Sequence, residues 1–146
     1  MIHYQLITLI FRNVVTFIYG GWFIYIGIQH FIDPDWFEPI VPGFLLFPKF
    51  WVLVSGVFEV MLGLLLIIPV TRKLSGISLA LFLTLIYIAN INMWIFDIPI
   101  GGNKLSTQGH ILRGIIQLLL IITALYIAKV NPLTYIRPYI NKRVLK

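Results

Sequence analysis

Apolar residues run through this chain in four long blocks, separated by short connections that carry proline, glycine and charge. The first block spans about 11–32 and stops where Asp33 precedes Pro34, since proline disfavours helix in the residue before it. The second spans about 49–69, the third about 74–96 and the fourth about 108–129. At 1.5 Å of rise per residue, each is long enough to cross a hydrocarbon layer roughly 30 Å thick. Residues 2–10 either lie in the membrane interface or prolong the first helix, and the pattern leaves both open. The connections differ in character. Segment 33–48 is rich in proline and aromatic residues, 70–73 is a tight basic turn, and 97–107 holds Pro99 and Gly101-Gly102. Short joins make neighbouring helices antiparallel. The expectation is an all-α fold, an integral membrane four-helix antiparallel bundle forming one domain over 1–146, with a short basic tail at 130–146.

Composition sharpens this picture. Of the 146 residues 60% are apolar and 11% charged, against about a quarter charged in a soluble domain. The chain lacks the polar residues to cover a water-facing surface, so the lipid bilayer is its first partner, and a large extramembrane catalytic module is excluded. There is no cysteine, which removes intrinsic thiol, disulfide, iron–sulfur and cysteine–zinc chemistry. No glycine-rich phosphate loop, nucleophile elbow or paired catalytic carboxylate is present. The net charge of +6 does not mark a nucleic-acid binder, because the basic residues gather at membrane ends. Arg12, Arg72, Lys73, Lys129, Arg137, Lys142, Arg143 and Lys146 fall on one side. Lys49 and Lys104 fall on the other, beside Asp33, Asp35, Glu38 and Asp97. The positive-inside rule then predicts an inner-membrane protein with both termini cytoplasmic. The first apolar block outruns the 7–15 residues of a signal-peptide core and is read as an uncleaved helix. Trp36, Trp51 and Trp94 are placed near the outer interface as anchors.

Candidate chemistry lies inside the spans. Glu59 sits halfway along the second block, where an ionised side chain costs at least about 2.5–3.5 kcal/mol, so it needs a partner or a proton. Ser55, Glu59 and Gly63 share one helical stripe, with Gly56 alongside. His110, Arg113, Gly114, Gln117 and Ala124 form a stripe on the fourth block. Gly76, Ala80, Tyr87, Asn90 and Trp94 form one on the third, and Gly20, Gly27 and His30 one on the first. Turned together, these seams make a polar axis. Counting along the helices from their outer ends puts His30 at roughly 5 Å, Arg113 and Asn90 at roughly 8–9 Å, and Gln117 and Glu59 at roughly 14–15 Å. Arg113 is the expected counter-ion of Glu59.

Two classes of function fit these residues. In one, His30, Glu59, Asn90, Arg113 and Gln117 line a ligand site for a small polar head group such as a quinone, or a proton relay. In the other, the same groups only fasten helices, as interhelical polar contacts do at about 0.6 kcal/mol each, and the protein assists assembly of a partner membrane protein. A bis-histidine haem on His30 and His110 has no further support. A metal held by His30 and Glu59 would need side chains about 10 Å apart in depth to meet. A proton-coupled transporter is disfavoured by small size and the lack of inverted repeats.

The stretch Gly27-Ile28-Gln29-His30-Phe31-Ile32-Asp33-Pro34, followed by Ile40-Val41-Pro42, Pro48, Ser55-Gly56-Val57-Phe58-Glu59, Pro69-Val70-Thr71-Arg72, Ala89-Asn90-Ile91-Asn92-Met93, Arg113 and Gln117, resembles the DoxX and DoxX-like membrane proteins. The resemblance covers roughly residues 20–128. It implies a small four-helix integral membrane protein, some relatives of which are subunits of thiosulfate:quinone oxidoreduction or redox-stress complexes, while distant ones are membrane-protein chaperones. It also implies His30, Glu59, Asn90, Arg113 and Gln117 as recurrent polar residues. The expected role is an accessory subunit with no intrinsic cofactor, a bound quinone, and a redox protein subunit or a second copy as partner. The absence of cysteine departs from the redox members.

Overall fold

The computed structural model describes residues 2–128, and every regular element among them is helical. Helix α1 runs Ile2–Ile32, the short α2 Pro34–Phe37, α3 Pro48–Ile67, α4 Arg72–Ile95 and α5 Thr107–Ala128, with a 3-10 turn at Glu38–Ile40. Four of these helices are long and apolar enough to cross a membrane. Residues 2–10 belong to α1 as one continuous helix. The basic tail at 130–146, together with Lys129, lies outside the described residues.

Local chemistry sets the helix ends. Asp33, held at φ −136° and ψ 69° before Pro34, closes α1, and Pro34 then opens α2. Pro48 opens α3, which ends where Ile68 turns extended (ψ 120°) ahead of Pro69. Helix α4 closes in a Schellman motif: Asp97 takes a left-handed φ of 50°, its N–H donates to the Trp94 carbonyl, and the Ile98 N–H donates to that of Met93. Ser106 caps α5, its Oγ accepting from the Gly109 N–H at 3.2 Å.

Helices α1 and α3 pack tightly on each other, as do α4 and α5, and α3 against α4 joins the two pairs. Missing side chains make the first contact possible. A Cβ on Gly20 would fall 2.9 Å from the Gly63 carbonyl oxygen, and one on Gly27 would fall 2.7 Å from that of Gly56. The register descends on α3 as it ascends on α1, so these two helices run in opposite directions. Gly76 plays the same part between α4 and α5, where a Cβ would lie 2.8 Å from the Ala124 carbonyl oxygen. Tyr19 links α1 to α5 by donating to the Leu120 carbonyl at 2.5 Å.

The apolar core is Tyr19, Phe23, Leu62, Leu66, Leu79, Ala80, Leu83, Ala124 and Ile127. These residues come late in α3 and α5 and early in α4, so the core sits toward the end that carries Arg12 and Arg72. That end is fastened by Arg72. Its Nε donates to the Leu66 carbonyl at 3.1 Å, one Nη to that of Ile67 at 3.1 Å, and the other to Asn13 Oδ1 at 2.9 Å. One guanidinium thus caps α3 and ties it to α1.

Candidate functional site

The polar residues occupy the opposite end, beneath the 33–47 and 96–106 connections. They do not form a single axis. His30 and Glu59 lie together on the α1–α3 seam, with His30 Nδ1 3.3 Å from Glu59 Oε2. Asn90, Arg113 and Gln117 lie on the α4–α5 seam. Arg113 donates through Nη2 to Asn90 Oδ1 at 2.5 Å, and Gln117 Nε2 donates to the Leu83 carbonyl at 2.6 Å.

This corrects two expectations. Glu59 is paired with His30, and no ion pair joins it to Arg113 among the described residues. Nor are His30 and Glu59 separated by depth. In a helix every Cα–Cβ bond tilts toward the N-terminus. On α1 that tilt carries His30 back toward the core, where Nδ1 meets the Ile26 carbonyl at 2.8 Å. On α3, running the other way, the tilt carries Glu59 toward the 33–47 connection. A count of Cα rise ignores both tilts. Gly56 supplies the remaining room: a Cβ there would stand 2.8 Å from His30 Cβ.

The pair is buried, His30 being 7% exposed and Glu59 4%. A carbonyl can only accept, so the imidazole carries its hydrogen on Nδ1, directed at Ile26. Glu59 Oε2 is left with a 3.3 Å contact and no hydrogen bond of acceptable geometry among the described residues. Buried polar atoms are nearly always hydrogen-bonded, so this oxygen has capacity to accept from a further group. Phe37 of α2 covers the imidazole, the two rings stacking 3.9 Å apart at 17°. The cover is held in place by its flanks. Asn92 donates to the Ile40 carbonyl at 3.2 Å, and Trp36 Nε1 lies against Gly101, at a position where a Cβ would come within 2.6 Å.

The second seam is a ladder. Trp94 and His110 stack at 5.5 Å with their planes 3° apart. Asn90 and Arg113 follow one turn deeper, then Tyr87, whose Oη faces Gly114 at 2.8 Å from a notional Cβ, then Gln117 on the Leu83 carbonyl. Ser55, expected on the Glu59 stripe, turns its hydroxyl back to the Val52 carbonyl at 2.8 Å. Among the described residues no group of three or more His, Cys, Asp or Glu could hold a metal ion. Trp36, Trp51 and Trp94 are all partly exposed at this end, as anchors would be.

Sequence reasoning passed over Phe37, Tyr19 and Asn13, and gave Asn92 and Arg72 no contact of their own, naming them only within motifs or, for Arg72, as a topological charge. These residues act on backbone carbonyls, on one ring or, for Asn13, on the Arg72 guanidinium, and such contacts have no periodic signature.

Fold and site together define a helical protein with four helices long and apolar enough to cross a membrane, two tight helix pairs, and a buried imidazole–carboxylate contact under an aromatic cover. The chain belongs to the family described as a domain of unknown function (DUF8561), which matches residues 19–128. No curated protein and no solved structure matches it.

Proposed function

We propose that this is a DoxX-like integral membrane protein, an accessory subunit of a membrane redox system in which His30 and Glu59 bind the head group of a lipophilic quinone. The four long helices form an antiparallel bundle in the inner membrane. The register of Gly20 on Gly63 and Gly27 on Gly56 supports the first half of that statement. The gathering of Arg12, Arg72 and Lys73 at one end, with Asp33, Asp35, Glu38 and Asp97 at the other, supports cytoplasmic termini.

One observation carries the assignment: Glu59 Oε2, buried in the outer half and lacking a hydrogen bond among the described residues. A quinol hydroxyl suits that acceptor. With Nδ1 engaged by Ile26, a neutral His30 offers Nε2 as a second acceptor. When bound, a quinone would supply two oxygens that exchange protons on reduction. The chain's own part is to accept from the two hydroxyls of the reduced, quinol form, to orient the ring, and to exclude water through Phe37. Asn90, Arg113 and Gln117 shape the other wall of the outer half.

The test is lipid extraction from the purified full-length protein. Wild type should retain a lipophilic quinone that Glu59→Gln and His30→Phe lose. Equal quinone content in all three would overturn the reading. The competing class, an assembly factor with a purely structural polar core, draws support from the α4–α5 ladder, where Gln117 and Asn90 each make a hydrogen bond that fastens one helix to the other. It predicts that His30→Leu combined with Glu59→Leu leaves function intact, since removing both groups leaves no orphan.

A further inference from the structure

We infer that Arg113, braced by Asn90 on the α4–α5 seam, is a binding site for the phosphodiester of an outer-leaflet phospholipid, separate from the His30–Glu59 pair. The argument begins with charge. The chain contains five acidic residues, namely Asp33, Asp35, Glu38, Glu59 and Asp97, and all lie among the described residues. Asp35 pairs with Lys49, Asp97 with Lys104 and Glu59 with His30. Asp33 and Glu38 form no ion pair with Arg113 at 4 Å or less among the described residues. The guanidinium is therefore un-neutralised by any acidic side chain of its own protein.

Its hydrogen bonding is equally incomplete. The bond from Nη2 to Asn90 Oδ1 at 2.5 Å is its one hydrogen bond among the described residues, whereas Arg72, at the other end of α4, spends three nitrogens on protein acceptors. Asn90 fixes one edge of the Arg113 fork and leaves the rest of it free. A planar fork with parallel N–H groups is matched by the two non-bridging oxygens of a phosphodiester.

Position selects the source. Arg113 lies six residues into α5 and Asn90 five residues from the end of α4, roughly 8–9 Å along each helix. Bonded to Asn90, the guanidinium sits about that far below the helix ends, a depth at which local thinning of the bilayer brings lipid phosphates down to an arginine. The neighbouring lipid-side residues Ile111, Leu112, Ile115 and Ile116 are exposed and apolar, which suits acyl chains lying below the phosphate.

The experiment is native mass spectrometry of the full-length protein titrated with dioleoyl phosphatidylglycerol or with dioleoylglycerol, which has the same chains and no phosphate. Wild type should bind the phospholipid at least about tenfold more tightly than the glycerolipid, with Arg113→Gln abolishing the difference and Arg113→Lys retaining part of it. Glu59→Gln should leave phospholipid affinity unchanged, which separates this site from the proposed quinone site. Equal affinity of wild type for the two lipids, or of Arg113→Gln and wild type for the phospholipid, overturns the inference. The lipid comparison needs no variant and stands if Arg113→Gln does not fold. Displacement by millimolar inorganic phosphate would assign the fork to a free anion and overturn the lipid assignment.

Discussion

His30 and Glu59 approach to 3.3 Å across the α1–α3 seam because their side chains tilt toward one another along oppositely directed helices. The contact is unequal. His30 has a second partner in the Ile26 carbonyl at 2.8 Å, while Glu59 Oε2 has no hydrogen-bond partner among the described residues.

Removing the two partners should therefore have unequal cost. His30→Leu removes the 3.3 Å polar contact to a buried carboxyl group together with the stack on Phe37, and should destabilise by about 1–3 kcal/mol. Glu59→Leu leaves the imidazole on Ile26 and should cost about 0.6 kcal/mol, the average for an interhelical polar contact. Thermal unfolding in detergent measures both, and a larger loss for Glu59→Leu would contradict the asymmetry.

The close approach that allows this contact rests on glycine. Gly56→Ala places a Cβ 2.8 Å from both the Gly27 carbonyl oxygen and His30 Cβ, so α1 must move away from α3. The expected loss is about 1–3 kcal/mol, with reduced retention of the quinone proposed for this pair as the seam widens. Gly21→Ala is the control: nothing lies within 4 Å of that position in α1, and stability should hold or rise, by up to about 1 kcal/mol.

These contacts show what the residue pattern could and could not reveal. Spacing alone picked out the stripe of Ser55, Glu59 and Gly63 with Gly56 alongside; Gly56, Glu59 and Gly63 are buried on α3 and Ser55 is half-buried, because one face of a helix needs only its period to be read. The four long helices were legible for the same reason, with boundaries shifted by one or two residues except at α1, whose extension through 2–10 carries no start signal. Pairing between helices was not legible. Seams on four helices can be joined in several ways, and the choice of α1 with α3 and α4 with α5 depends on which small residues face which backbones. Arg113 was assigned to Glu59 by depth and charge, yet Asn90, one of its expected neighbours, accepts its hydrogen bond instead.

Arg72 should prove as important to stability as any core residue. It is buried at 2% exposure and donates to two carbonyls of α3 and to Asn13. Arg72→Ala should cost on the order of 1.5–3 kcal/mol, the range for hydrogen bonds made by charged groups. Lys73→Ala, one residue on and exposed, should fall within about 0.5 kcal/mol of wild type. Chemical unfolding of both variants decides whether the arginine acts as a cap or only as an orienting charge.

The cover over the candidate site makes the last prediction. Phe37 stacks on the His30 ring at 3.9 Å, and the segment that carries it is braced by Asn92 on Ile40 of the following turn and by Trp36 against Gly101. Truncating the ring should leave those braces in place and open the imidazole from the side of the 33–47 connection. In Phe37→Ala, diethyl pyrocarbonate should modify His30 faster than in wild type, as followed by peptide mass mapping. His110, stacked on Trp94 in the other helix pair, should react at its original rate. An unchanged rate at His30 would mean that the aromatic ring does not control access to the pair. A parallel rise at His110 would instead mean that the substitution loosens the whole end of the protein, because no described contact joins Phe37 to that second stack.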